Sequence, residues 1–264
     1  MGDATAIATV FVEARRSARA LESYPGTAPQ DLNAAYQIQD AAITIDGRPI
    51  AGWKVDRINA PLDGALGSNR LAGPIFADTV VDIADGQVPM MPVFSSGFAA
   101  AEAELLLHIA PHITGQCPVS DDQTRALIDD VRIGIEIASS PYGRINADGP
   151  TVTASDFGNN NGLVRGPPVA DWSQIDLSEI VVSTCVDGVT VGEATAATML
   201  DGPYGAVRFL IANLAARGID ISAGTWVSTG AITGVHPVVA GQEVTAVFGS
   251  HGSVCCQIAS ANQG

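Results

Sequence analysis

The sequence predicts an α+β protein, helical at its start and strand-rich through its centre and end. Three observations lead there. Ile7, Val10, Phe11, Ala14, Ala18 and Leu21 recur at helical spacing, with Glu13, Arg15, Arg16 and Arg19 between them. Val131, Ile133, Ile135 and Ile137 alternate with Arg132, Gly134 and Glu136, the period of a strand. The closing stretches 242–248 and 253–258 alternate in the same way on either side of Gly249-Ser250-His251-Gly252, which reads as a hairpin.

In chain order, the first helix is expected to end at Pro25-Gly26. Thr27 is the expected N-cap of a second helix that opens with Ala28-Pro29-Gln30-Asp31 and carries Leu32, Tyr36, Gln39 and Ile43 on one face. Asp46-Gly47-Arg48-Pro49 is a turn, and Ile50 to Val55 a short strand holding Lys54 among apolar neighbours. That lysine either snorkels to the surface or sits in a cleft suited to proton transfer. Residues 56–73 show little pattern and read as a loop over a site or a surface excursion. Residues 73–81 are extended and include Phe76 and Asp78. His108 and His112 have the spacing of helical metal ligands, but Pro111 between them breaks such a helix. Asp121, Asp122, Asp129 and Asp130 fit a short solvated helix, and Asn159-Asn160-Asn161-Gly162 a turn. Strands recur from Ile180, with a turn at Asp187-Gly188. Ala206, Leu210, Ile211 and Leu214 line a helix stopped by Gly218, and 225–230 is a strand.

Composition removes several classes of function. With 264 residues, 47% of them hydrophobic and 16% charged, the chain can bury a large core and leaves room for subunit contacts. Its net charge of -15 repels phosphate backbones and anionic lipid, so neither nucleic acid nor a membrane is an expected partner. No leader pattern and no apolar run of membrane length occurs, and the cysteines at 117, 185, 255 and 256 lack zinc-ribbon spacing. Reduced thiols in a cytoplasmic protein are the expectation. Walker, Rossmann and GxSxG patterns are absent.

Chemistry concentrates in three carboxylates placed inside apolar runs, where an unpaired charge is expensive to bury. Glu102 and Glu104 sit in Ala99-Ala100-Ala101-Glu102-Ala103-Glu104-Leu105, and Glu136 in the strand at 131–137. If 98–110 is a strand, Glu102 and Glu104 share a face, and a neighbouring Glu136 completes an oxygen cage of the kind Mg2+ or Mn2+ prefers. Ala, Glu and Leu favour helix equally well, and a helix would separate residues two apart. The residues alone leave the two readings level.

The ordered set Gly52-Trp53-Lys54, Gly73-Pro74-Ile75-Phe76-Ala77-Asp78, Glu102-Ala103-Glu104, Ile133-Gly134-Ile135-Glu136, Gly192-Glu193-Ala194 and Ser228-Thr229-Gly230 resembles the fumarylacetoacetate hydrolase superfamily. Within it the chain looks most like the 2-oxo-4-pentenoate hydratase and 4-oxalocrotonate decarboxylase branch. The resemblance implies one domain over 1–264, with a helical part at 1–48 and a catalytic part at 49–264 built on a mixed sheet rolled into a barrel-like core. It implies that 98–110 is a strand and that Glu102, Glu104 and Glu136 bind Mg2+ or Mn2+. Lys54 and Asp78 take the catalytic positions; Phe76 and Thr229 in the matching motifs, and Arg57, Asn160 and Asn161 in segments that depart from them, are the candidates for binding a small 2-oxo or 2-hydroxydienoic acid. The activity implied first is hydration of a 2-hydroxydienoate in aromatic-compound catabolism, and next decarboxylation of a 2-oxo-3-enedioate. Acylpyruvate C–C hydrolysis and a non-catalytic homologue follow. Homo-oligomers are usual in the superfamily, and a downstream aldolase or a sister enzyme of the same branch is an implied associate. Two departures stand out: Val55-Asp56-Arg57-Ile58-Asn59 after the lysine, and an amide-rich loop from Asp156 to Gly162. Arg57 either receives a second carboxylate or pairs with Asp56.

Overall fold

The computed structural model describes residues 2–83, 87–111 and 117–261. In chain order its elements are α1 (Asp3–Arg16), α2 (Leu32–Asp46), β1 (Ile50–Arg57), α3 (Leu62–Leu66), β2 (Arg70–Phe76), β3 (Val80–Asp82) and β4 (Met90–Val93). There follow β5 (Phe98–Ile109), α4 (Asp121–Arg125), β6 (Ile128–Ser140), α5 (Pro150–Ser155), β7 (Asn160–Pro168), β8 (Val181–Val186) and β9 (Val189–Thr195). The chain closes with α6 (Gly202–Ala216), β10 (Thr225–Ser228), β11 (His236–Pro237), β12 (Glu243–Phe248) and β13 (Ser253–Ser260). None of the described helices is long and apolar enough to cross a membrane.

Two sheets face each other. The larger runs β2-β1-β10-β5-β6-β7-β3, with β11 added on β5, and the smaller runs β4-β13-β12-β8-β9. Parallel pairs (β1 with β10, β3 with β7) sit among antiparallel ones, so the sheet is mixed, as the sequence implied. Leu105, Leu107, Ile133 and Ile135 on one face of the larger sheet meet Val182, Val244, Phe248 and Ile258 from the smaller, closing a rolled core. Val207, Leu210 and Leu214 of α6 join that core. Because strand side chains alternate, the opposite face of β5 and β6 receives the even-numbered residues, the three glutamates among them. On the N-terminal side, Ile7, Phe11, Ile38 and Ala42 of α1 and α2 pack with Phe76, Tyr142 and Phe157, so the helices rest directly on the sheet.

Several sequence expectations need correction. Helix α1 ends at Arg16, and Ala18 adopts a positive φ of 47°. Leu21 therefore leaves the helix and bridges Tyr142. The N-cap of α2 is Asp31, whose carboxylate accepts the Ala34 amide at 2.8 Å, not Thr27. The stretch 56–73 is patterned at its ends, where β1 continues through Arg57, β2 begins at Arg70 and the Ile58 amide donates to the Asn69 carbonyl at 2.8 Å; α3 lies between them. Asp129 and Asp130 lie in β6, not in the short helix that holds Asp121 and Asp122. His108 sits on strand β5 and bonds Asp129 at 2.5 Å, and His112 lies outside the described residues.

Candidate metal centre

Strand β5 is long, Ala-rich and bonded on both edges, to β10 and β6. Pairing on two sides overrides the local helical preference of its Ala, Glu and Leu residues. In the β5–β6 register Glu102 lies directly opposite Glu136, and Glu104 projects from the same face two residues on. One carboxylate oxygen from each of the three lies within 4.8 Å of the others, and all three side chains are buried.

Lys54 on β1 reaches the same place. Its Nζ donates to Glu136 Oε2 at 2.9 Å and Asn159 Oδ1 at 2.8 Å, and lies 3.0 Å from Asp56 Oδ2. Burial opposes the charge of this fully enclosed ammonium. The carboxylates of Asp56, Glu136, Glu102 and Glu104 outweigh that penalty and hold its pKa well above the ordinary value. The acids are displaced the other way. Burial, then the neighbouring charge of Glu136, pushes Glu104 from 4.5 up to about 8. Glu102 and Glu136 are raised as well, chiefly by burial, with Lys54 pulling against it.

Charge and hydrogen bonding both fit a divalent cation. Ionised, Asp56, Glu102, Glu104 and Glu136 carry four negative charges against the single ammonium of Lys54. Glu104 Oε2 accepts Ser228 Oγ at 2.5 Å and the Gly230 amide at 2.9 Å, yet its Oε1 is buried with no partner among the described residues. Such an oxygen, beside two further buried carboxylates, matches the all-oxygen donor set of a hard ion.

An unusual turn supports the cage from below. Phe157, Gly158 and Asn159 are three successive left-handed residues, with φ of 56°, 61° and 57°. The turn fits because Gly73 on β2 has no side chain; a Cβ there would overlap the Phe157 carbonyl. It delivers Asn159 to Lys54, and the next residue, Asn160, donates from Nδ2 to Glu136 Oε1 at 2.7 Å.

A cavity of about 720 Å³ opens beside the cage. Its lining includes Asp56, Glu102, Asn159 and Thr229, the two arginines Arg57 and Arg70, and the apolar Ile58, Leu71 and Ile232. The structure thus gathers Lys54, Glu102, Glu104, Glu136 and Asn160 into one cluster and puts Arg57 and Thr229 on the adjoining wall. Thr229 Oγ1 donates to the Leu105 carbonyl at 2.8 Å. Arg57 forms no ion pair among the described residues, since Asp56 has turned to Lys54.

Three sequence candidates are not brought there. Asp78 is exposed on the turn after β2 and pairs with Arg48 at 3.2 Å. The Phe76 ring is buried against Phe157, with centroids 5.0 Å apart, and is covered by the Arg48 guanidinium. Asn161 alternates to the opposite face from Asn160 and donates to the Pro92 carbonyl at 2.7 Å. Conversely, Asp56, Asn159 and Ser228 belong to the cluster. Asp56 was legible as the second residue after Lys54 on one strand face, whereas Asn159 depends on a left-handed turn that no local pattern announces.

No family model matches the chain. A curated 4-oxalocrotonate decarboxylase of Pseudomonas putida is 30% identical over 207 residues, covering 78% of this chain and 68% of that protein. The chain belongs to the fumarylacetoacetate hydrolase superfamily, in the branch of that enzyme. A second 4-oxalocrotonate decarboxylase, from Pseudomonas sp. strain CF600, is 26% identical, with 75% of this chain matching 64% of the relative. Among solved structures, 4-oxalocrotonate decarboxylase from Pseudomonas putida G7 complexed with magnesium and adipate superposes with a TM-score of 0.80 at 23% identity, over 97% of both chains. Fumarylpyruvate hydrolase from Pseudomonas aeruginosa, in complex with Mn2+ and pyruvate, gives a TM-score of 0.58 at 18% identity, over 81% of this chain and 91% of that one. At these identities the two structures establish a shared fold. Both departures of this superfamily member from its branch pattern lie at the cage: Asp56 pairs with Lys54, and the Asp156–Gly162 segment supplies Asn159 and Asn160.

Proposed function

We propose that this chain is a divalent-metal-dependent lyase that decarboxylates a short 2-oxo-3-enedioate. Glu102, Glu104 and Glu136 would hold Mg2+ or Mn2+, which when bound supplies Lewis-acid polarisation to a 2-oxo acid. Lys54, kept charged by Asp56 and Glu136, is the cation set to balance negative charge arriving at the 2-oxo oxygen. In that reaction the bond to the distal carboxylate breaks and CO2 departs. The electron pair runs through the conjugated chain to the 2-oxo group, leaving a dienolate that is protonated on release. Asn160 fixes one oxygen of Glu136 and Asn159 fixes the lysine, so neither has to reorganise as charge moves. Ile58, Leu71 and Ile232 add apolar surface to the lining of the same cavity.

The observation that carries the reading is one cavity whose lining joins Asp56 and Glu102 of the acidic cluster with two arginines, Arg57 and Arg70. Arg57 has no ion pair among the described residues, and Arg70 is tied to the Leu200 carbonyl with Asp201 3.8 Å away. A ligand anionic at both ends matches that layout better than the monocarboxylic dienoate of the hydratase reading, which the sequence ranked first. The relatives point the same way. Phe76, Asp78 and Asn161 have no part in the proposed chemistry.

The test is direct. Purified protein with Mg2+ should release CO2 from 2-oxo-3-hexenedioate far faster than buffer with Mg2+ alone. Release at the uncatalysed rate, together with rapid loss of 2-hydroxypenta-2,4-dienoate absorbance, would replace decarboxylation with hydration.

A further inference from the structure

Arg15, on the N-terminal helix α1, holds more contacts than a surface ion pair needs, and most of them converge on the segment below the cage. Its Nε and Nη2 grip the two oxygens of Asp156 at 2.6 and 2.9 Å. Nη1 donates to the Asn160 carbonyl at 2.9 Å and to Asn161 Oδ1 at 3.3 Å. Nη2 also reaches the carbonyls of Ser139 at 3.1 Å and Asp156 at 3.3 Å. The guanidinium lies between the rings of Phe94 and Phe157, 5.6 and 5.2 Å from their centroids. Ser140 Oγ donates to Asp156 Oδ2 at 2.6 Å and completes the clamp.

The clamp takes hold on both sides of the left-handed turn, at Asp156 before it and Asn160 after it. A phenylalanine in that conformation is strained and persists only where its surroundings over-determine it. A buried Arg–Asp pair adds little net stability, because removing both charges from water offsets their attraction. Its effect here is geometric. With the turn fixed, Asn159 meets Lys54 and Asn160 meets Glu136; with the turn relaxed, both amides leave the cage. Lysine cannot substitute, since the contacts need a planar fork of five N–H groups.

We infer that Arg15 is a positioning residue of the cation site, acting through the Phe157–Asn159 turn on Asn159 and Asn160. The N-terminal helix is then part of the working centre, although it supplies no group to the cage itself. This rests on the reading of the three glutamates as a cation site.

Binding of Mn2+ alone, followed by the electron paramagnetic resonance of the free ion, tests it without any substrate. Supports of metal ligands typically change affinity 10–100-fold. Arg15→Lys should therefore bind Mn2+ at least tenfold more weakly than the wild type while keeping its circular dichroism. Combined with Asn160→Ala, it should add less than its own loss, because the part carried by the Asn160–Glu136 contact is already gone. Ile7→Ala, a core truncation elsewhere on α1, should lower Tm and leave Mn2+ affinity within twofold. Native affinity in folded Arg15→Lys, full additivity with Asn160→Ala, or an equal loss in Ile7→Ala would each overturn the proposal. A wild type that binds no Mn2+ would remove the cation site and this inference together, whereas a wild type that binds and an Arg15→Lys that binds equally removes the inference alone.

Discussion

Glu104 keeps one oxygen engaged by Ser228 and Gly230 and the other buried without a partner among the described residues. In the folded chain its carboxyl holds a proton up to about pH 8, against an ordinary value of 4.5. Between those values the folded state binds more protons than the unfolded one, so stability of the metal-free protein should fall as pH climbs from about 4.5 to about 8. Thermal denaturation across that range should show the decline, and a flat profile would contradict it. Divalent-ion binding displaces the same protons, so Mg2+ affinity should rise over the upper part of the window, read by calorimetry in buffers of different ionisation enthalpy. Glu104→Gln removes a ligand and a buried like charge together. It should weaken Mn2+ binding about 100-fold or more and raise the Tm of the metal-free protein at pH 8. At this scale the sequence was informative wherever a charge sat in an apolar run, as with Lys54, Glu102 and Glu136. Phe76 and Asp78 were harder: an aromatic followed by an acid does not say which side of the strand end faces the cage.

At the scale of elements, β5 decides the site. Its composition suits a helix as well as a strand, and only the neighbours β6 and β10, distant in sequence, select the conformation that puts Glu102 and Glu104 on one face. The alternation at 131–137 was legible because each apolar residue there faces the core between the sheets. The turn at 157–159 was not, since two of its left-handed residues are Phe and Asn, and it is held by Arg15 from another element and by the space left at Gly73. Gly73→Ala should accordingly force the turn away. We expect a loss of about 2–3 kcal/mol in urea denaturation from overpacking, together with at least tenfold weaker Mn2+ binding. Unchanged Mn2+ affinity in that variant would separate the turn from the cage.

Over the whole molecule, a chain of net charge -15 buries three glutamates together beside a cavity that also carries two arginines. On the proposed function, discrimination of the second carboxylate falls to Arg57, the arginine without an ion pair among the described residues. Arg57→Gln should raise KM for a 2-oxo-enedioate about tenfold, the equivalent of roughly 1.4 kcal/mol, and leave KM for a 2-oxo monocarboxylate unchanged. Equal changes for both substrates would move the second carboxylate elsewhere. The claim beneath all of these is that the three buried glutamates converge on one cation. Anomalous diffraction from a crystal soaked in Mn2+ tests it most directly: the account expects one strong peak within bonding distance of Glu102, Glu104 and Glu136. A peak elsewhere, or none at saturating Mn2+, would contradict it.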